Sequence, residues 1–507
     1  MPRVQTRIFP IEFEMKPLNL IRSALVAGAA TMTLAAQAAP AYDAAAWQAD
    51  YSQLKKIMEK DYANLAWFAS PEGGVDLPVL DRKTLQALAA ADSDEEARRA
   101  IAAFVAAFKG GHFSVSPALA KAAVAAKPVA PKPFDASDTT GVCAGLGFLP
   151  NNHVAFSLPL ETLPNFQLLS DGLSSVYRVG TATASNGQKI GVIRIQNFRL
   201  KSFPAACTIA LKELRDKGVK IDAQVLDDAA DDKWTMALAD EIKALKVLGI
   251  SALLIDIGDN SGGDDHGDQY ARLLTGRPVR SARLLVTANA GGKAYAEEQV
   301  ASLDEVITKS PPKEALEALT RARDFFVQVG EATKTPCDLS WVWKEQRPWA
   351  KQGCKRLVDA GYAGGYAASL PQGAFGDQNI AYRLSLASSF DEFWGLWTGP
   401  LYVLTDGRTY SSAEMFAAVV QDNHIGKIVG ATTGGDGCGF MSADIRQTLP
   451  HSGLSLRIPN CVRLRADGSN EVTGITPDIP ILATEREDGR QRGERLIEAV
   501  ASDNRAH

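Results

Sequence analysis

The sequence predicts an α/β fold: a main core of strand-helix units, preceded by an N-terminal helical domain and a small β-rich segment. Three observations carry this expectation. Short apolar runs bounded by glycine, serine or aspartate read as buried strands: SALLIDIG at 251–258, GPLYVLTD at 399–406 and GKIVGA at 426–431. Stretches with three- and four-residue apolar spacing, near 232–247, 270–274 and 412–421, read as helices between them, and alternation of the two is the signature of an α/β core. Finally, the 507 residues are 46% hydrophobic and 22% charged, which excludes disordered, collagen-like and coiled-coil chains.

Taken in order, the chain begins with a segment that reads as a leader. Residues 15–40 run MKPLNLIRSALVAGAATMTLAAQAAP: Lys16 and Arg22, then an apolar run, then Ala36-Gln37-Ala38. This is the layout of a secretory signal peptide over 1–38, with Met15 as a plausible start. The apolar run is short and alanine-rich, too weak for a membrane span, so cleavage and no stable membrane anchor are expected. From 39 to 117 the pattern is helical. Trp47, Tyr51, Leu54 and Met58 recur at helical steps, Ser93 and Glu96 have capping-box spacing, and Gly110 is a natural helix end. His112 follows at once, opening the strand-like HFSVS. Residues 118–140, rich in Ala, Lys and Pro, read as a linker. The β-rich segment spans 141–188, with a hairpin about Asn151-Asn152, and KIGVIRIQNF then reads as a buried strand. The core is assigned to 189–289 and 396–483. Residues 290–395, with Trp341, Trp343 and Trp349, interrupt it as an insertion, and 484–507 form a C-terminal helix and tail.

The net charge of -5 comes from 59 acidic and 54 basic side chains without a long basic run, which argues against nucleic acid as a partner. Loss of 1–38 would remove Arg3, Arg7, Lys16 and Arg22 against Glu12 and Glu14, making the mature chain more acidic. Export also sets how the six cysteines read. Cys143, Cys207, Cys337, Cys354, Cys438 and Cys461 all lie beyond the leader, no C-x-x-C occurs, and disulfides are expected rather than a metal site. Nearness in sequence pairs Cys337 with Cys354 and Cys438 with Cys461.

Two loops could carry chemistry. After SALLIDIG the chain reads DNSGGDD, where Gly262 and Gly263 can turn backbone N–H groups into a cavity and so hold an oxyanion; an ordinary tight turn is the simpler alternative. After GPLYVLTD, the run GRTYSSAEMFAAVVQDN places Ser411 and Ser412 at a strand-to-helix turn, the setting of a nucleophile elbow or of a plain N-cap.

These segments resemble the serine peptidases that include the C-terminal processing (tail-specific) proteases and tricorn protease. There the nucleophile is a serine three residues before a glutamate, followed by a small-residue helix ending in Gln-Asp. Ser411, Glu414, Ala417-Ala418 and Gln421-Asp422 fit that frame. DIGDNSGG resembles the family's Asp-x-Arg-x-Asn-x-Gly-Gly loop, with Gly258 where arginine is usual; GGHFSVS resembles its Gly-His segment, and EVTGITPD its closing segment. The resemblance implies a crotonase-like core and a polypeptide substrate, with no cofactor and no metal. Many relatives use a Ser-Lys dyad, but Asp436 stands at the lysine position and cannot act as a neutral-amine base. The tricorn-like branch uses a histidine and a glutamate instead, which here are His112 and Glu471. The resemblance thus implies Ser411 as nucleophile, His112 as base and Glu471 as its orienting carboxylate, with Gly262 or Gly263 and Ser412 as the oxyanion hole. Between 141 and 188 there is no room for a complete PDZ domain, so substrate selection is assigned to 290–395.

The remaining histidines draw plainer readings. His153 lies in a turn, His424 at a helix end, His451 in a turn and His507 in the tail, while His266 among Asp264, Asp265 and Asp268 matches no calcium-loop spacing. Ser52-x-x-Lys55 and Ser310-x-x-Lys313 lack the accompanying K-T-G of a β-lactamase-type site. A non-catalytic binding protein on the same fold and an esterase-like hydrolase are the rival functions.

Overall fold

The computed structural model describes residues 42–117, 141–149, 153–335, 337–344, 355–441 and 446–505. The leader 1–38, the linker, the Asn151-Asn152 turn, Trp349, Cys354 and His507 lie outside these residues.

The apolar runs form the centre of a seven-stranded sheet. Its order is Ile479–Pro480, Lys427–Gly430, Leu401–Thr405, Ala252–Asp256, Lys189–Arg194, Arg178–Thr183 and Phe166–Asp171. The first five run parallel and the last two antiparallel. All five residues of Ala252–Asp256 and all five of Leu401–Thr405 are buried, as continuous apolar strands covered on both faces must be. One face packs on the helices Ala223–Val247 and Ser412–Asp422 through Trp234, Leu238, Phe416 and Val420. The other packs on the C-terminal helix Gly489–Asn504 through Leu496, Ile497 and Val500. This is the α/β, crotonase-like arrangement expected. The hairpin expected about Asn151-Asn152 has no strands on its described flanks, which hold the short helix Val142–Gly145 instead; the strands of 141–188 are Phe166–Asp171 and Arg178–Thr183, which extend the central sheet.

The 290–395 segment is tied into the core. Its helices Ala290–Ile307 and Lys313–Ala332 bury Leu303, Leu319 and Phe326 beneath a second sheet, in which Leu357–Tyr362 pairs with Arg283–Thr287, itself paired with Cys461–Leu464. The segment therefore supplies one strand of a sheet whose other two belong to the assigned core.

The N-terminal helices dock just as firmly. Strand Ser114–Ser116 pairs antiparallel with Ser455–Arg457. Buried Asp50 accepts the N–H groups of His451 and Ser452, Gln447 donates to Asp61, and Asn470 donates to Asn64. His112 is thus held against the core through a paired strand.

Two disulfides lie wholly among the described residues. Cys438–Cys461 matches the expectation from nearness in sequence, while Cys143–Cys207 joins cysteines 64 residues apart, beyond what spacing could indicate. Cys337 is disulfide-bonded as well. No helix among the described residues is long and apolar enough to cross a membrane.

Candidate active site

Adjacent parallel strands place both loops at one edge. Ala252–Asp256 and Leu401–Thr405 pair directly, so the loops leaving their C-terminal ends meet where ligands bind in open α/β sheets. Tyr410 N–H donates to the Asn260 carbonyl, Asp259 N–H to Asp406 and Thr409 Oγ1 to the Ile257 carbonyl, so the two loops form one structure.

Ser411 sits at the turn with φ 55° and ψ -118°, a strained backbone that a non-glycine residue adopts only where its surroundings enforce it. The sharp turn lifts the residue from the strand into the first position before the helix, the geometry of a nucleophile elbow. Ser412 is buried and its hydroxyl donates to the Asp264 carbonyl, which leaves Ser411 as the nucleophile candidate of the pair.

The glycine loop lies against it. Gly262 has φ +88°, and a Cβ there would fall 2.6 Å from Ser411 Cβ, so only glycine allows this approach. Its N–H is committed to Asn260 Oδ1 at 2.8 Å, and Gly262 therefore offers no oxyanion donor in this arrangement. Among the described residues the N–H groups of Gly263 and Ser412 make no hydrogen bond.

Glu414 organises the other side. Its carboxylate, fully buried, accepts Ser411 N–H at 3.1 Å, Thr433 Oγ1 at 2.6 Å, and the N–H groups of Gly435, Asp436 and Gly437 at 2.7, 2.8 and 3.1 Å. The glutamate of the serine motif thus ties the nucleophile turn to the 433–437 loop.

His112 reaches this loop from the helical domain. It is 8% exposed, its ring meets Phe440 edge-on, and its buried Nε2 has no hydrogen-bond partner. Burial, with Arg457 and Arg463 nearby, pushes its pKa down to about 3, so the imidazole is neutral at physiological pH. The carboxylate nearest it is Asp436, with Oδ2 3.7 Å from Nε2. Glu471, expected to face His112, is fully buried and held by Arg463 through two 2.7 Å bonds. The same guanidinium donates to the carbonyls of Ser411 at 3.2 Å and Gly437 at 3.0 Å. Arg463 is a site residue that sequence reasoning did not single out; its only trace is an arginine inside the otherwise apolar strand CVRL, eight residues before an acid.

The matched sequence settles the family. The profile of peptidase family S41 matches residues 189–481, more than half of the chain. The chain belongs to this family. It is accordingly a serine-type peptidase, with polypeptide as its substrate class. No curated protein matches this S41 peptidase by sequence. Among solved structures it resembles mature CPAF at 15% identity, covering 90% of this chain and 96% of that one with a TM-score of 0.52. It also resembles mature CPAF complexed with lactacystin, again at 15% identity, covering 91% and 99% with a TM-score of 0.53. These likenesses are of fold.

The S41 frame makes Gly258 informative. A Cβ there would lie 2.5 Å from Ser157 Oγ and 3.4 Å from Asp406, so no arginine fits. Arg194, from the neighbouring strand, occupies the interior instead: its Nη1 donates to Asp256 Oδ1 and the Asp256 carbonyl at 3.2 Å and to the Gly258 carbonyl. Ser157 completes the carboxylate with two bonds of 2.6 Å to Asp256.

Two clefts flank the loops. One of about 520 Å³ is lined by Asn197, Arg199, Lys201, Ser261, Arg408 and Tyr410. Another of about 300 Å³ is lined by Asp265, Met441 and, chiefly, 290–395 residues such as Tyr295, Glu298 and Arg383. A larger cavity of about 650 Å³ opens where Leu401–Thr405 and Lys427–Gly430 begin, at the far end of the sheet from Ser411, and holds none of the candidate residues.

Of the other histidines, His266 packs against Trp234, Tyr270 and Phe390 and bonds Asp264 through Nδ1, a structural role. Among the described residues no group of three or more His, Cys, Asp or Glu side chains could hold a metal ion.

Proposed function

We propose that this S41 peptidase is an exported endopeptidase that works through an acyl-enzyme on Ser411. Ser411 Oγ attacks the peptide carbonyl, His112 takes its proton and returns it to the leaving amine, and water then repeats the sequence on the ester. The observation that carries this reading is the strained Ser411 turn set beside two unengaged N–H groups, those of Gly263 and Ser412. Such donors are oriented before reaction and stabilise the oxyanion of the tetrahedral intermediate at no reorganisation cost. Gly262 serves by lacking a side chain rather than by donating.

His112 is neutral, as a base must be, and substrate binding closes its hydrogen bond to the serine hydroxyl, as catalytic contacts often tighten only in the complex. Glu471 acts on the nucleophile turn through Arg463, which pairs with it and donates to the Ser411 carbonyl. Export is supported by the leader-like 1–38 segment together with Cys143–Cys207 and Cys438–Cys461, since disulfides persist in oxidising compartments. The cleft lined by 290–395 residues supports that segment as the selector of substrate side chains.

A fluorophosphonate probe should label the parent protein and leave Ser411→Ala unlabelled, and mass spectrometry of a digested unfolded protein should show internal cuts made only by the parent. Labelling that survives Ser411→Ala would move the nucleophile elsewhere. Ester hydrolysis without peptide cleavage would make the protein an esterase. Exchanging the 290–395 lining residues should change the cleavage profile, and an unchanged profile would remove that segment from selection.

A further inference from the structure

We propose that Asp436 is the positioning carboxylate of His112, so that a residue at the place of a dyad lysine serves the base instead of being it. The inference rests on the Ser411–His112 reading above.

Three contacts set Asp436 between the Ser411 turn and His112. Its backbone N–H donates to Glu414 Oε2, the same oxygen that accepts Ser411 N–H. Its Oδ1 accepts Gly111 N–H, fixing the residue before His112. Its Oδ2 lies 3.7 Å from His112 Nε2, and that nitrogen is buried without another partner. A Cβ at residue 111 would fall 2.2 Å from Asp436 Oδ1, so glycine there is what admits the carboxylate. Glu471 is paired with Arg463 through both oxygens, and among the described residues the carboxylate against the His112 ring is that of Asp436.

A short movement of the ring closes the Nε2–Asp436 bond. That bond fixes the proton on Nε2, leaves Nδ1 as the nitrogen that accepts the Ser411 proton, and stabilises the imidazolium formed. The charged groups around the ring are Asp436 on one side and Arg457 and Arg463 on the other, with Glu414 and the Tyr62 hydroxyl behind Asp436. The two arginines disfavour the imidazolium, while burial raises the Asp436 pKa to about 6, so above that pH its carboxylate is the negative charge beside the ring.

The test is Asp436→Asn, which keeps an acceptor for Gly111 and removes the charge. The parent must first label with fluorophosphonate and Ser411→Ala must not; failure there ends the Ser411 reading and with it the inference. Given that result, Asp436→Asn should lower kcat on the order of 10²-fold with KM within about twofold, the size of a general-base contribution. The acid limb of its kcat/KM profile should move to lower pH, and Asp436→Glu should recover part of the rate. Gly111→Ala, which displaces the carboxylate without touching its charge, should lose kcat in the same way and keeps the test open if Asp436→Asn does not fold. An Asp436→Asn or Gly111→Ala enzyme with parental kcat and an unmoved acid limb would overturn the proposal.

Discussion

Replacing Arg463 by methionine separates what the buried ion pair does for stability from what it does for the site. Arg463 is 7% exposed and Glu471 fully buried, and two 2.7 Å bonds join them. Removing the cation alone leaves a carboxylate uncompensated in the interior, which costs about 3–5 kcal/mol. The carbonyls of Ser411 and Gly437 also lose a donor, about 1 kcal/mol each. Arg463→Met should therefore lower the unfolding free energy by several kcal/mol, read by chemical denaturation with tryptophan fluorescence. The double variant Arg463→Met, Glu471→Leu removes both charges and should recover most of that loss, since apolar replacements of a buried pair are often neutral. Its turnover should stay down by at least about 10²-fold, because Glu471 and its hold on the Ser411 turn are gone. A single variant within about 1 kcal/mol of the parent would refute the energetic argument. A stable double variant with parental turnover would refute a role for Glu471 in the reaction.

Other outcomes follow from neighbouring contacts. Burial is the main cause of the depressed His112 pKa and Arg457 the next, so Arg457→Gln should raise that pKa and shift the acid limb of kcat/KM to higher pH, opposite in sign to Asp436→Asn. Converting both Cys438 and Cys461 to serine opens a loop of 23 residues and should cost about 3 kcal/mol in the loop-entropy picture. Because Cys438 follows the Glu414-bound 435–437 loop directly, kcat should fall more than KM rises, measured on a peptide substrate.

The parts of the site legible in sequence were those written in local pattern. SALLIDIG and GPLYVLTD declare buried strands through uninterrupted apolar runs, and the serine-to-glutamate spacing declares the turn. The choice of Ser411 over Ser412 comes from the resemblance, through the family's serine-to-glutamate spacing, and the structure commits the Ser412 hydroxyl to the Asp264 carbonyl. Pairings across the chain left no such trace. Nothing near Ser114 signals Ser455–Arg457 as its strand partner, and nothing near Cys143 signals Cys207, because each contact is made by the folded topology rather than by spacing. The 290–395 segment looked detachable for the same reason: its strand Leu357–Tyr362 finds its sheet only through Arg283–Thr287 and Cys461–Leu464. An acid at the lysine position reads in sequence as a loss, whereas in space it sits between Gly111 and His112.

At Gly258, where the resembling loop has arginine, the cation nearest the buried Asp256 comes from another strand. Asp256 is fully buried beneath the loop, and the guanidinium beside it comes from the neighbouring strand, from Arg194, which is 2% exposed and also holds the Gly258 carbonyl. Ser157 occupies the volume that a side chain at 258 would cross. Arg194→Ala should therefore strand a buried carboxylate at a cost of about 3–5 kcal/mol, and Gly258→Arg alone should be destabilising through its clash with Ser157. Combining Gly258→Arg with Arg194→Ala and Ser157→Gly returns a cation to Asp256 and opens the space for it. The triple variant should be more stable than the sum of its separate losses by at least about 1 kcal/mol, a coupling that contacting residues show and distant ones do not. Strict additivity in that cycle would mean that Arg194 does not substitute for the missing loop arginine.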